Sequence, residues 1–325
     1  MRTPKNPRST TSLDDLRDCA CCPRECHANR LDGRLGYCRT GAGFSLGAIC
    51  LHRGEEPAIG GAAGICNVFF TRCNMQCVYC QNYQISRNRG EILEHPLLLP
   101  EVVHEIERIL ERGVKCVGFV SPSHCIPQMK AVIRALEGRR PKPVFVMNTN
   151  AYDKPDALRS LEGMVDIYLP DLKYMDADLA ARWSDAPDYP EVAAAALREM
   201  YRQKGSYVML DGEGRAESGL IVRHLVLPGQ IENSKRCLRW IAEELSPSVH
   251  VSLLAQYQPT PPVADHPDLG RRLRPEEYQE VVDELHRLGF YRGWTQGLSS
   301  ADNFNPDFWR QHPFDKRYWQ MAVCP

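Results

Sequence analysis

The feature that most constrains this chain is Cys73-Asn74-Met75-Gln76-Cys77-Val78-Tyr79-Cys80, a C-x3-C-x2-C run that follows the apolar Val68-Phe69-Phe70. Three thiolates on one loop leaving a strand can hold three irons of a cubane cluster and leave the fourth iron without a protein ligand. A cluster kept for electron transfer alone is usually held by four cysteines. The missing fourth ligand therefore points to a substrate or cofactor that completes the coordination, as an open position separates catalytic from structural zinc. A zinc knuckle is the rival reading, but structural zinc takes four protein ligands and its cysteines more often come as C-x2-C pairs.

At 325 residues and 43% apolar, the chain can bury one barrel-sized core with appendages. A net charge of −1 gives no electrostatic case for binding nucleic acid or an anionic membrane. The start, Met1 to Thr11, is polar and lacks the apolar core of a signal peptide, and no run of eighteen apolar residues occurs, so a soluble cytoplasmic protein is expected. In such a chain fourteen cysteines point to metal rather than disulfides, and ten of them lie between Cys19 and Cys80.

Residues 1–18 read as a polar leader. Cys19, Cys22, Cys26 and Cys38 then give C-x2-C-x3-C-x11-C on a stretch with little core of its own, which suits a metal-stapled subdomain, with Cys21 as a spare. Zinc and an iron–sulfur cluster both accept four thiolates, and spacing does not discriminate between them. The segment Leu51 to Gly61 reads as a punctuated loop whose charges would ordinarily be solvated.

From Glu91 onward, helix-like and strand-like segments alternate. Val102, Val103, Ile106, Ile109 and Leu110 sit at helical spacing and Val114 to Val120 is a short apolar strand; the pattern recurs through Val144 to Met147, Val165 to Leu169, Leu220 to Leu227, His250 to Leu254 and Tyr291 to Thr295. This rhythm predicts an α/β fold, a partial, open parallel βα barrel over residues 61–300, preceded by the Cys-rich module (1–60) and followed by an aromatic tail (301–325). In such barrels the chemistry lies at the C-terminal ends of the strands. Asp171 and Lys173, two apart after one strand, point to the same face. Arg223 stands inside the apolar Ile221 to Val226, which is costly without an anionic partner. The tail, with Phe304, Phe308, Trp309, Phe314, Tyr318 and Trp319, reads as a flap over the barrel mouth.

At the cysteine triplet, with aromatic Tyr79 before the last cysteine, the sequence resembles the radical S-adenosylmethionine (SAM) superfamily. The Cys-Pro-Arg-x-Cys of the N-terminal module, Gly54-Glu55-Glu56-Pro57, Asp171-Leu172-Lys173 and Arg223 to Gly229 make it similar to homologues of pyruvate formate-lyase-activating enzyme, over roughly residues 19 to 295. The resemblance implies a 4Fe–4S cluster on Cys73, Cys77 and Cys80 and SAM on its open iron. It also implies a low-potential electron donor such as a flavodoxin or ferredoxin, and a 5′-deoxyadenosyl radical that abstracts hydrogen, for glycyl-radical activators from a glycine of a partner enzyme. Lys173 would lie near SAM and Arg223 would grip its carboxylate, with Asp171, Asn150 and Gln256 beside them. The chain departs from the activators where they carry Gly-Gly-Glu, so Ser121, Ser123, His124 or backbone carbonyls would take the SAM amino group, and Asn148 replaces an acid. The rivals are radical modification of a small molecule or peptide, and a non-catalytic zinc or redox scaffold.

Overall fold

The computed structural model describes residues 13–302, 305–310 and 312–314. Most of the polar leader and Phe304, Tyr318 and Trp319 of the tail lie outside the described residues. In chain order the strands are β1 (Phe44–His52), β2 (Ile65–Phe70), β3 (His95–Leu97), β4 (Cys116–Val120), β5 (Val144–Thr149), β6 (Ile167–Pro170), β7 (Met209–Leu210), β8 (Ala216–Leu225), β9 (His250–Leu254) and β10 (Gly293–Thr295). The helices are α1 (Tyr83–Ser86), α2 (Leu99–Leu110), α3 (Ile126–Leu136), α4 (Pro155–Arg159), α5 (Ala177–Ser184), α6 (Tyr189–Lys204), α7 (Ile231–Glu244) and α8 (Pro275–Arg287).

The strands form one open sheet in the order β10-β9-β8-β6-β5-β4-β2-β1-β3. From β2 to β10 every neighbouring pair is parallel; β1 pairs antiparallel with β2 and β3, and the short β7 pairs antiparallel with β8. The structure is thus the mixed α/β, partial βα barrel expected from the alternation. The inner strands read as continuous apolar runs because both faces are covered: β2, β4 and β6 are buried at every position. Helix α2 turns Val102, Ile106, Ile109 and Leu110 onto the sheet, and α3 turns Met129, Val132, Ile133 and Leu136. Helix α5 was not foreseen, although Asp176 caps it by accepting from the Asp178 and Leu179 amides, an N-terminal signal present in the sequence.

Two corrections follow from β1. The segment taken as a punctuated loop begins inside that strand, at Leu51 and His52. Its glutamates are buried rather than solvated, Glu56 at 6% exposure.

The register levels the strand ends that matter. Val120 pairs with Asn148, Thr149 with Pro170, Arg223 with Ser252, and Asp171 bridges to Arg223. Among the described residues no helix is long and apolar enough to cross a membrane.

Candidate functional site: a thiol-lined barrel mouth

The loops after β2, β5, β6 and β9 converge on a cavity of about 370 Å³ whose lining includes Cys73, Cys77, Cys80, Asn150, Lys173 and Arg223. The cysteine loop is held from both sides. The Gln76 and Val78 amides donate to the Ser184 and Trp183 carbonyls at the end of α5, and the Arg24 Nε donates to the Asn74 carbonyl at 2.9 Å. Arg24 thus gives the Cys-Pro-Arg stretch a mechanical role, tying the N-terminal module to the loop.

Each of the three sulfurs accepts a hydrogen bond. Asn150 Nδ2 and the Met75 amide donate to Cys73 Sγ, both at 3.4 Å; Ser184 Oγ donates to Cys77 Sγ at 3.0 Å; Ser86 Oγ donates to Cys80 Sγ at 3.3 Å. Burial pushes the Cys73 thiol up and that of Cys77 up to about 11, with the Lys173 ammonium opposing. Donors aimed at all three sulfurs fit thiolates held by a cluster, which accept hydrogen bonds and have their potential tuned by them. Among the described residues no three His, Cys, Asp or Glu side chains gather as they would around a single metal ion. A cubane asks for something different, since each of its thiolates binds a separate iron.

Beyond the sulfurs, the lining is charged. Lys173 Nζ donates to Asp171 Oδ2 at 2.7 Å. Burial alone would lower the lysine, but Asp171 and Cys77 outweigh it and its ammonium is held well above the usual range. Arg223 already has anionic partners in the chain: its Nε and Nη2 donate to the two oxygens of Glu56, at 2.7 and 2.6 Å, and Nη2 also donates to Glu55. Glu55 further accepts from Asn67 Nδ2 at 2.8 Å. Burial would raise the Glu55 carboxyl, yet Arg223, His52 and Asn67 together hold it down to about 2. The buried Arg223 therefore finds anionic partners within the chain. Its Nε–Nη2 edge is engaged internally, and Nη1 is the guanidinium nitrogen without a hydrogen bond to the described residues.

Ser121, Asn148, Asn150, Asp171, Lys173, Arg223 and Gln256 all line the cavity, whereas Ser123 and His124 do not. His124 turns inward: its Nε2 lies 2.9 Å from the Thr71 carbonyl, and its own carbonyl accepts from Arg30 at 2.7 Å. Burial lowers its imidazole to about 4, so it stays neutral. Ser123 joins a buried chain with Thr149, 3.0 Å away, and Thr149 in turn donates to Asp153. Local sequence gave no warning of this, because the strand-to-helix turn sends alternate residues to opposite sides. Positive φ at Ser121 marks the sharpness of that turn.

Asp153 yields a stability prediction. Burial raises its carboxyl to about 6 from an ordinary 3.8. A folded-state value raised above the unfolded one means that the protonated form stabilises the fold at low pH and that this stability is lost as pH rises through 6. Asp153→Asn keeps an oxygen for Thr149 and cannot ionise. It should raise the melting temperature above pH 6, by a free energy on the order of 2 kcal/mol, with the gain shrinking between pH 6 and 4. A gain that is equal at pH 4 and pH 8 would contradict the assignment.

The described part of the aromatic tail packs where a flap over the barrel mouth was expected. Phe308 and Phe314 pack on Phe69, with ring centroids 5.3 and 5.8 Å apart, and Gln84 binds Asp307 and the Phe308 amide. Asn305 and Phe314 line the cavity, so this part of the tail lies over it. In the N-terminal module, Cys19, Cys21, Cys22, Cys26 and Cys38 line one small buried space with Arg30. The buried Arg30 has no carboxylate partner among the described residues; Nη1 reaches Cys19 Sγ at 3.7 Å, and Nε and Nη2 donate to the Gly41 carbonyl.

An open parallel βα barrel with three hydrogen-bonded cysteines on its first parallel-strand loop and a lysine, an arginine and carboxylates opposite defines a class, that of barrels built to hold a cluster with an open position. Residues 67–224 match the family model of the Radical SAM superfamily, so the chain carries a radical SAM domain over that span. An uncharacterized protein of Methanocaldococcus jannaschii, MJ0674, is 26% identical over 272 residues, 82% of this chain and 74% of its own. Among solved structures, methylornithine synthase (PylB) superposes with a TM-score of 0.51 at 13% identity, covering 80% of this chain and 82% of that one. HydG, a maturase of the [FeFe]-hydrogenase, gives 0.50 at 14% identity, covering 71% and 51%. At these identities the structures bear on the fold alone.

Proposed function

We propose that the protein is a radical SAM enzyme that binds a 4Fe–4S cluster through Cys73, Cys77 and Cys80 and SAM on the cluster's open iron. The observation that carries this reading is the set of three sulfurs, one buried and two half-buried, each accepting a hydrogen bond, at the wall of a roofed and charged cavity. With both bound, the cluster and SAM supply reductive cleavage of the sulfonium to a 5′-deoxyadenosyl radical that abstracts hydrogen. The protein's own part is to position and to exclude water. Lys173 and the free Nη1 of Arg223 offer donors to a carboxylate, and Asp171, Glu55 and Glu56 offer acceptors to an ammonium group. Phe308 and Phe314 shield the cavity from bulk solvent. The Gly-Glu-Glu-Pro and Asp-x-Lys likeness to glycyl-radical activators supports a backbone glycine of a partner enzyme as the hydrogen donor. The cysteines of the described residues are free thiols, in keeping with a cytoplasmic setting.

We propose further that Cys19, Cys22, Cys26 and Cys38, which line one space with Arg30 but do not gather around a single point as one zinc ion would require, hold a second iron–sulfur centre, whose negative charge serves the buried Arg30. Anaerobically reconstituted protein under a strong reductant should release 5′-deoxyadenosine from SAM, with iron and zinc counted on the same sample. Iron in excess of four per chain would place a second cluster on the module, and four irons with one zinc would place zinc there. Absence of the nucleoside at full iron loading would refute the radical reading. A persistent electron-spin-resonance doublet on a partner protein would support glycyl activation, and turnover of a free product would replace it with a small molecule or peptide substrate.

A further inference from the structure

On the outer side of the cysteine loop lies a second, open depression of about 1080 Å³. Its lining includes Cys77 and Val78 of the cluster loop, Tyr37 and Arg39 of the N-terminal module, and Arg72, Arg87 and Arg89 around α1. Cys77 therefore lines both spaces, the cavity on one side and the depression on the other. Asp185 is the single carboxylate residue in the lining, facing four arginines, and it is engaged by the Tyr37 hydroxyl at 2.6 Å. Arg72 is paired with Glu94, but Arg39, Arg87 and Arg89 are exposed and have no carboxylate partner among the described residues. An arginine on a surface is ordinarily a solvated charge. Here the excess is local in a chain whose net charge is −1, and it is gathered in a concave surface over one cluster ligand.

We infer that this depression is the docking site of a small acidic electron-carrier protein, which passes one electron through the Cys77 wall. The inference rests on the radical SAM reading and adds to it the surface used by the donor. The balance is simple: the reduced carrier loses one electron and the oxidised cluster gains it, with no bond made or broken. Exposed guanidinium groups steer an acidic partner and set orientation more than they hold it, so the interaction weakens with salt. The N-terminal module then has a structural part in the same step, because it supplies the Tyr37 and Arg39 wall.

The test uses the full, cluster-loaded chain and an acidic flavodoxin as probe. Its dissociation constant is measured by titration calorimetry at low and high salt, and nucleoside release is driven in parallel by dithionite and by the reduced flavodoxin. Arg87→Glu with Arg89→Glu should weaken flavodoxin binding by about tenfold or more and slow the flavodoxin-driven rate, while dithionite-driven release stays at the wild-type level. Arg39→Glu, on a separate segment, should act in the same direction if the double variant is poorly folded. Wild-type protein that does not bind the flavodoxin, binding that is indifferent to salt, or reversal variants that bind as wild type would each overturn the docking site. Failure of dithionite-driven release in the wild type would instead refute the radical reading, and salt-dependent, arginine-dependent binding would still stand.

Discussion

Cys77→Ala is expected to lower 5′-deoxyadenosine formation to below about one hundredth of wild type, given that even outer-shell changes at metal sites cost 10- to 100-fold. Cys77 is one of three protein ligands, and its loss leaves a cubane on two thiolates. The fold should survive. Cys77 sits on a loop, is only half-buried, and its main-chain neighbours are fixed by the Gln76 and Val78 amide bonds to the end of α5. Ser184 loses the Cys77 sulfur but keeps the Tyr174 hydroxyl at 2.9 Å, so no buried group is stranded. The measurement is nucleoside release with iron content and a melting curve on the same preparation. Wild-type release from the variant would remove Cys77 from the cluster; a collapsed melting curve would assign it a structural role instead.

The parts of this site that could be read in the sequence are those whose signal is local. The C-x3-C-x2-C spacing lies within one loop, and Asp171 and Lys173 declare a shared face by being two residues apart. The alternation of helix and strand segments carries its own periodicity, which is why the parallel strands were legible while their limits shifted by a few residues. What was not legible depends on partners far along the chain. Arg223 was rightly marked as needing an anion, but the glutamates that engage it stand 167 and 168 residues away, and nothing near Glu55 or Glu56 marks them as buried. The same holds for His124, whose inward turn is decided by Arg30 from the N-terminal module and the Thr71 carbonyl. Both errors came from treating a charged or polar residue as solvated, or as facing the cavity, until shown otherwise.

Arg223→Met is expected to destabilise the protein by about 3–5 kcal/mol at pH 7, because it strands two buried carboxylates. Glu55 and Glu56 keep side-chain exposures of only 8% and 4%, and the basic group left near Glu55 is His52, whose Nε2 lies 3.9 Å away but whose imidazole burial holds below its usual value, so it does not replace the lost charge at pH 7. The pH dependence follows from the signs. In the wild type the folded Glu55 carboxyl is held down to about 2, below its ordinary 4.5; the stability this brings is present above pH 4.5 and is lost as pH falls toward 2. Without Arg223, burial is left as the dominant influence on Glu55 and its carboxyl rises instead, so the variant favours its protonated form and becomes relatively more stable as pH falls. The gap in melting temperature between wild type and variant should therefore be widest at pH 7 to 8 and should narrow below pH 5. Adding Glu55→Gln and Glu56→Gln to Arg223→Met removes the stranded charges and should recover most of the loss at pH 7, although the cavity would then lack both its guanidinium and its acceptors for an ammonium group. Thermal unfolding followed by circular dichroism across this range reads both effects. A gap that does not change with pH, or a triple variant no more stable than Arg223→Met, would mean that the two glutamates are not the partners on which the buried arginine depends.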